Sequence, residues 1–151
     1  MCNATRWGAL AVAALAVFST PAQSPRQKSF SLQTQKLSWT PMPIQVIPPG
    51  LQQKLLHEHK EKSTMTALVR FPAGYREPRH YHTTCGHSLY VLRGRLESPE
   101  GPLAAGMFVY SAPHERHGPF LAREETELLF FTDGPFDFFV DDPESEKRGG
   151  R

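Results

Sequence analysis

At 151 residues the chain can bury one ordinary hydrophobic core and is too short for two, so a single folded domain is expected. A hydrophobic fraction of 39%, broken up by 14 prolines and 11 glycines, disfavours a helical bundle and favours short strands joined by turns. The net charge of +2 arises from 17 basic and 15 acidic residues without any lysine or arginine block, which argues against a nucleic-acid partner.

Residues 1–22 have the order of a secretory signal peptide: one arginine, an apolar stretch from Trp7 to Phe18, then small residues, with cleavage expected after Ala22. The stretch is short for a transmembrane helix, so no membrane contact is expected after cleavage; an uncleaved anchor is the alternative. A secreted or periplasmic location follows. Cleavage also removes Cys2 and leaves Cys85 as the only thiol. Without an internal disulfide, an exported chain must be held by its core, a partner or a bound metal.

Residues 23–38 are polar and without period, a flexible approach to a domain expected over 39–142. That domain opens with Trp39 and a short strand from Ile44 to Ile47, closed by Pro48, Pro49 and Gly50. LQQKLLHEHKEKS (51–63) fits either a short helix or a strand followed by a charged turn. TMTALVRF (64–71) reads as a strand, and SLYVLRGRLES (88–98) suits a sheet with Gly94 at a bend or hairpin. GPLAAG (101–106) is a turn ahead of the strand MFVY (107–110). ETELLFFTDG and PFDFFVDD (125–142) are expected to form a final hairpin across Asp133, Gly134 and Pro135, and residues 143–151 a disordered charged tail. Short strands at regular intervals point to a two-sheet sandwich or barrel. Its core and cavity wall are expected to come from Phe71, Leu89, Val91, Leu129, Phe130 and Phe131, with Phe136, Phe138 and Phe139.

HYHTTCGH (80–87) places three of the seven histidines in eight positions. On a strand His80 and His82 share one face, His87 can return toward them after the turn-like Thr83–Gly86, and His117 in SAPHERHGPF is a fourth candidate. Imidazoles suit zinc, iron, manganese, nickel and copper. Four of them leave the metal's charge uncancelled, which attracts an anionic ligand or acidifies bound water. His57 and His59 repeat the spacing but sit among Lys54, Lys60, Glu61 and Lys62, where a solvated surface is expected.

The span Gly74–Gly94 resembles the first motif of the cupin superfamily: a glycine, five residues, His80-Tyr81-His82, four residues, His87, six residues and a glycine. The second motif follows as Gly106, MFVYSA, Pro113 and His117, in the form seen in the ChrR-type anti-sigma factor cupin domain and in acetylacetone-cleaving dioxygenases. His87 stands where most cupins carry a glutamate ligand, and His114 and Glu115 where a glycine usually eases the turn. The resemblance implies an all-β cupin jelly-roll barrel (a double-stranded β-helix) with one divalent metal ion, Fe, Zn or Mn, on His80, His82, His87 and His117. It implies a metal-dependent dioxygenase acting on a small, anionic organic substrate; a metal-dependent isomerase or hydrolase and a non-catalytic cupin braced by its metal are the alternatives. A homodimer is a family expectation. Tyr110 is a candidate donor to a substrate oxygen, Cys85 a candidate reactive thiol near the cavity mouth, and Tyr81, Tyr90 and Arg116 are further polar candidates, with His114 and Arg116 expected to point away.

Overall fold

Alternation decides the long strands. The computed structural model describes residues 28–141, so the expected leader, its cleavage point and the tail from 143 lie outside the described residues. The chain divides into Met1–Ser31 and Leu32–Arg151, and every element below belongs to the second unit. After a 3-10 turn at Thr34–Lys36 come β1 (Thr40–Pro41), β2 (Gln52–His59), β3 (Thr64–Phe71), β4 (Arg76–Glu77), β5 (His80–Tyr81) and β6 (His87–Arg93). Then follow β7 (Arg95–Glu97), β8 (Leu103–Ala104), β9 (Phe108–Ser111), β10 (Phe120–Ala122), β11 (Thr126–Thr132) and β12 (Phe139–Val140).

One antiparallel sheet runs β1-β2-β3-β11-β6-β9 and a second runs β4-β10-β7-β8, while β5 pairs with β12. Every second side chain is buried over 67–71 of β3, over 87–91 of β6 and along all of β11: Ala67, Val69 and Phe71; His87, Leu89 and Val91; Thr126, Leu128, Phe130 and Thr132. Register stacks them, with Leu128 between Val69 and Val91 and Phe130 between Ala67 and Leu89. A slip by one residue would turn this whole set outward. Leu129 and Phe131 therefore lie on the outer parity of β11, and Phe131 and Phe139 are exposed at 37% and 45%, which corrects their expected place in the core. The result is the expected all-β jelly-roll barrel.

Gly94 marks a bend, where the chain leaves β6 in the first sheet and enters β7 in the second. Its φ is +78°, and a Cβ there would lie 2.6 Å from the Glu125 carbonyl oxygen and 2.5 Å from Thr126 Oγ1. Residues 51–63 take the strand-plus-turn alternative as β2 and the turn before β3.

Two expectations are corrected. Residues 44–47 form turns, not a strand: Pro43, Pro48 and Pro49 lack ladder donors, and Met42 N–H donates to Leu51 O at 2.9 Å, closing the segment as a loop. The final hairpin does not form either, because both edges of β11 are taken by β3 and β6. Strand β12 instead pairs with β5, Phe139 opposite Tyr81 and Val140 opposite His80, and carries Phe136 and Phe138 onto the core. Within the segment expected to be flexible, Thr34 O accepts a hydrogen bond from Lys54 Nζ at 2.9 Å; at the start of the expected domain, the Trp39 ring lies 3.9 Å from the Arg70 guanidinium carbon.

Candidate metal centre

Three stretches of chain deliver four imidazoles to the barrel interior. His80 on β5 is locked to His117 by two backbone hydrogen bonds of 3.0 Å, one in each direction. His82 lies two residues on, buried like His80, while Tyr81 between them is half-buried, as strand alternation requires. His87 opens β6 on the buried parity, opposite Ser111 and Thr132. Ring centroids are 4.2 Å apart for His80–His117, 4.8 Å for His82–His87 and 4.9 Å for His87–His117. His80, His82 and His117 each bring a ring nitrogen within 4.8 Å of the others. His87 adjoins this trio by its ring contacts without joining that set.

The outward nitrogens define the tautomers. Nδ1 of His80 meets Pro78 O at 2.9 Å, Nδ1 of His117 meets Glu115 O at 3.0 Å, and Nδ1 of His82 meets the Asp137 carbonyl. A carbonyl oxygen only accepts, so each Nδ1 carries the hydrogen and each Nε2 turns a lone pair inward, the arrangement that orients a metal-binding histidine. Asp137 is itself held by Thr83, whose N–H donates to its carboxylate at 2.8 Å and whose hydroxyl donates to the other oxygen. Nε2 of His80 and Nε2 of His117 face each other at 2.9 Å. With both hydrogens on Nδ1, this contact sets lone pair against lone pair, which a cation shared between the rings relieves. His87 Nδ1 is buried without a hydrogen-bond partner, a further polar atom in want of one. On these two observations the residues fit a metal ion.

Electrostatics agree with that fit. Burial, reinforced by the neighbouring His117, drives His80 far below the ordinary histidine range, and burial with His117 and His82 beside it lowers His87 to about 3. Burial lowers His82 and His117 too, against the opposing pull of their carbonyl partners. The cluster is thus neutral near pH 7, the form that binds a metal.

The imidazoles line an inner cavity of about 50 Å³ whose other walls are mostly apolar, with Phe138 stacked on His80 at 4.1 Å. At about 10–15 Å³ for each water this volume holds roughly three to five. One more polar side chain lines it: Glu77, which the sequence reading did not single out. A second space, an open cleft of about 250 Å³, reaches His87 and His117 from outside past Glu100, Tyr110, Glu115 and Arg116.

The other candidates fall elsewhere. Tyr110 sits on the outer parity of β9 at 54% exposure, on the rim of the open cleft. Cys85 is 1% exposed, and in the absence of a metal burial pushes its thiol up. It forms a second cluster with His82 and Asp137, ligand atoms within 4.8 Å of one another. Arg116 donates to Asp141 at 2.9 Å and lies over the Tyr81 ring. Tyr90 is exposed on the outer sheet face. His114 is exposed and makes the tight turn itself, with φ of 66° and its N–H donating to His82 O at 2.6 Å. His57 and His59 are half-buried, not fully solvated, and neither joins a ligand cluster among the described residues.

Comparison with known proteins gives the same picture. The chain is 31% identical over 106 residues to the DNA damage-repair/toleration protein DRT102 of Arabidopsis thaliana, covering 66% of this chain and 32% of that protein, so it spans about a third of that curated relative. An acetylacetone dioxygenase from Acinetobacter johnsonii superposes with a TM-score of 0.64 at 18% identity, covering 87% of this chain and 95% of that one. The complex of Rhodobacter sphaeroides SigE with the anti-sigma ChrR gives a TM-score of 0.53 at 17% identity, with coverages of 67% and 52%. These structural likenesses speak for the fold. The profile of the ChrR cupin-like domain family matches residues 27–137, and with the jelly roll and both histidine motifs in place, the chain belongs to that family.

Proposed function

We propose that the chain is a metal-dependent cupin oxygenase in which His80, His82, His87 and His117 hold one divalent ion, iron for this activity, and a small organic compound enters through the open cleft. The observation that carries the reading is the pair of inward Nε2 lone pairs of His80 and His117, 2.9 Å apart. An iron held by these four imidazoles would bind the anionic oxygen of a substrate and supply the redox chemistry by which dioxygen reacts at substrate carbon. The chain's own residues set the conditions. The Pro78, Glu115 and Asp137 carbonyls hold three rings in the metal-binding tautomer. Phe136 and Phe138 exclude bulk water behind them, and the all-histidine set leaves positive charge for an anion arriving beside His87 and His117. Oxygen uptake by the iron-loaded protein with acetylacetone as first probe, followed by a panel of small enolisable carbonyl compounds, tests this reading. Turnover lost in His117→Ala is expected, and no turnover of any member would count against it.

The second reading, a metal that only braces the barrel, draws on the small volume of the inner cavity and on the separate segments that the four rings tie together. Substrate-free metal with no uptake of oxygen but a large loss of stability on chelation would favour it.

Export is proposed as well, on the charge and hydropathy order of residues 1–22; mature protein beginning at Gln23 by mass spectrometry is the expected result. Edge strand β9 turns out Phe108 at 62% exposure beside Tyr110, which supports pairing of two copies, to be checked by light scattering.

A further inference from the structure

Among the described residues that line the inner cavity, the four imidazoles aside, one carries a polar side chain: Glu77. The residue is 7% exposed, and no hydrogen bond or ion pair reaches its carboxyl among the described residues; burial alone acts on it. Its position is firm, since β4 pairs with β10 with Glu77 opposite Phe120, and Ala122 N–H donates to Tyr75 O at 3.0 Å just before it. It belongs to neither of the clusters whose ligand atoms lie within 4.8 Å of one another, so it stands apart from the ligand set. Glu77 also lines a second space, a surface pocket of about 440 Å³ that it shares with Arg76, Glu97 and Pro119. One buried acidic residue thus lines both the inner cavity and the surface pocket.

We propose that Glu77 is the proton relay of the histidine centre, carrying protons between water in the surface pocket and water in the inner cavity. The inference rests on the metal-centre reading above. Inward, a hydronium in the pocket gives its proton to a carboxylate oxygen and leaves as water. The carboxyl O–H then breaks, its electron pair staying on the carboxylate, and the proton bonds to a lone pair of a cavity water. Outward transfer is the reverse, and nothing is oxidised or reduced. Without a metal, burial raises the Glu77 pKa to about 8, and a nearby cation pulls it back down, so the carboxyl takes up and releases a proton as the charge of the centre changes. The titratable and charged groups around it are the four imidazoles across the cavity, Arg76 and Glu97 on the pocket side, and Tyr75, whose hydroxyl donates to Pro48 O at 2.8 Å. A molecule seated in the open cleft would block water at His87 and His117; the route through Glu77 stays open to solvent.

Infrared difference spectra of the full chain, wild type against Glu77→Gln, test the relay. Metal-free wild type at pH 7 should show a neutral-carboxyl band that Glu77→Gln loses. Transfer to D2O should shift it far faster than the amides of Val91 and Leu128 exchange. Zinc loading should convert it to carboxylate, because a nearby cation favours the charged form, and the same zinc added to His82→Ala should leave it. Glu77→Asp, which keeps a carboxyl, replaces Glu77→Gln if the latter does not fold, and is expected to move the band in frequency while keeping its fast exchange. No band sensitive to Glu77, exchange as slow as the core amides, or a band unmoved with one zinc bound would overturn the relay alone. Failure of the wild type to take up zinc would overturn the metal reading and the relay's destination with it.

Discussion

Acidification of the metal-free protein should weaken it through its histidines, well above the pH at which ordinary carboxylates titrate. An unfolded imidazole titrates near 6.5, whereas buried His87 does so at about 3. Between those values the unfolded chain binds a proton that the folded chain does not, so stability is complete above pH 6.5 and falls as pH falls. Each pH unit of that window is worth about 1.36 kcal/mol per group, so His87 alone loses about 2 kcal/mol between pH 6.5 and 5. His80, driven further down, loses as much, and His82 and His117 act in the same direction. Glu77 opposes them: its folded pKa of about 8 lies above its ordinary 4.5, so the stability it contributes is lost as pH rises and regained on acidification. Over the same interval it returns about 2 kcal/mol, leaving a net loss of about 2 kcal/mol from these three groups, a large share of the roughly 5–15 kcal/mol of a domain. Urea unfolding of chelator-treated protein, followed by tryptophan fluorescence at pH 7.5, 6.5 and 5.0, measures it. With a urea slope near 2 kcal/mol per molar, the midpoint should drop by about 1 M between pH 6.5 and 5, further in Glu77→Gln and less in His87→Phe. A midpoint that stays level over that interval, or that rises on acidification, would refute the reasoning.

Two further outcomes follow from single contacts. Gly94→Ala places a methyl group against the Glu125 carbonyl and Thr126 at a φ of +78°, and should cost about 3 kcal/mol from the left-handed backbone and the overlap together, read from the unfolding midpoint. Asp137→Ala frees the segment whose carbonyl holds His82 from its anchor on Thr83, so zinc affinity by chelator competition should fall about tenfold or more; unchanged affinity would mean that His82 is oriented without it.

Much of the barrel was legible because its information is local. The alternation in TMTALVRF and the run after His87 sets which faces are buried, and the one-residue gap between His80 and His82 is a strand spacing. His117 needed the second motif, since its backbone pairing with His80 spans a long stretch of chain. Other features were hidden for physical reasons. Nothing local in PFDFFVDD says that β11 is already paired on both edges, so its partner β5 could not be read. TELLFFT has apolar residues on both parities, and only pairing with β3 and β6 selects Leu128 and Phe130 over Leu129 and Phe131. Glu77 sits on a two-residue strand between Tyr75 and Pro78, too short for alternation to reveal a carboxyl turned inward.

The central claim is that four imidazoles share one ion, and metal content measures it most directly. Elemental analysis of the purified chain should find one equivalent of a divalent transition metal per chain, lost in His82→Ala and in His117→Ala while both variants keep the sheet signal of the fold in circular dichroism. The same trace of metal in the wild type and in folded variants would contradict it.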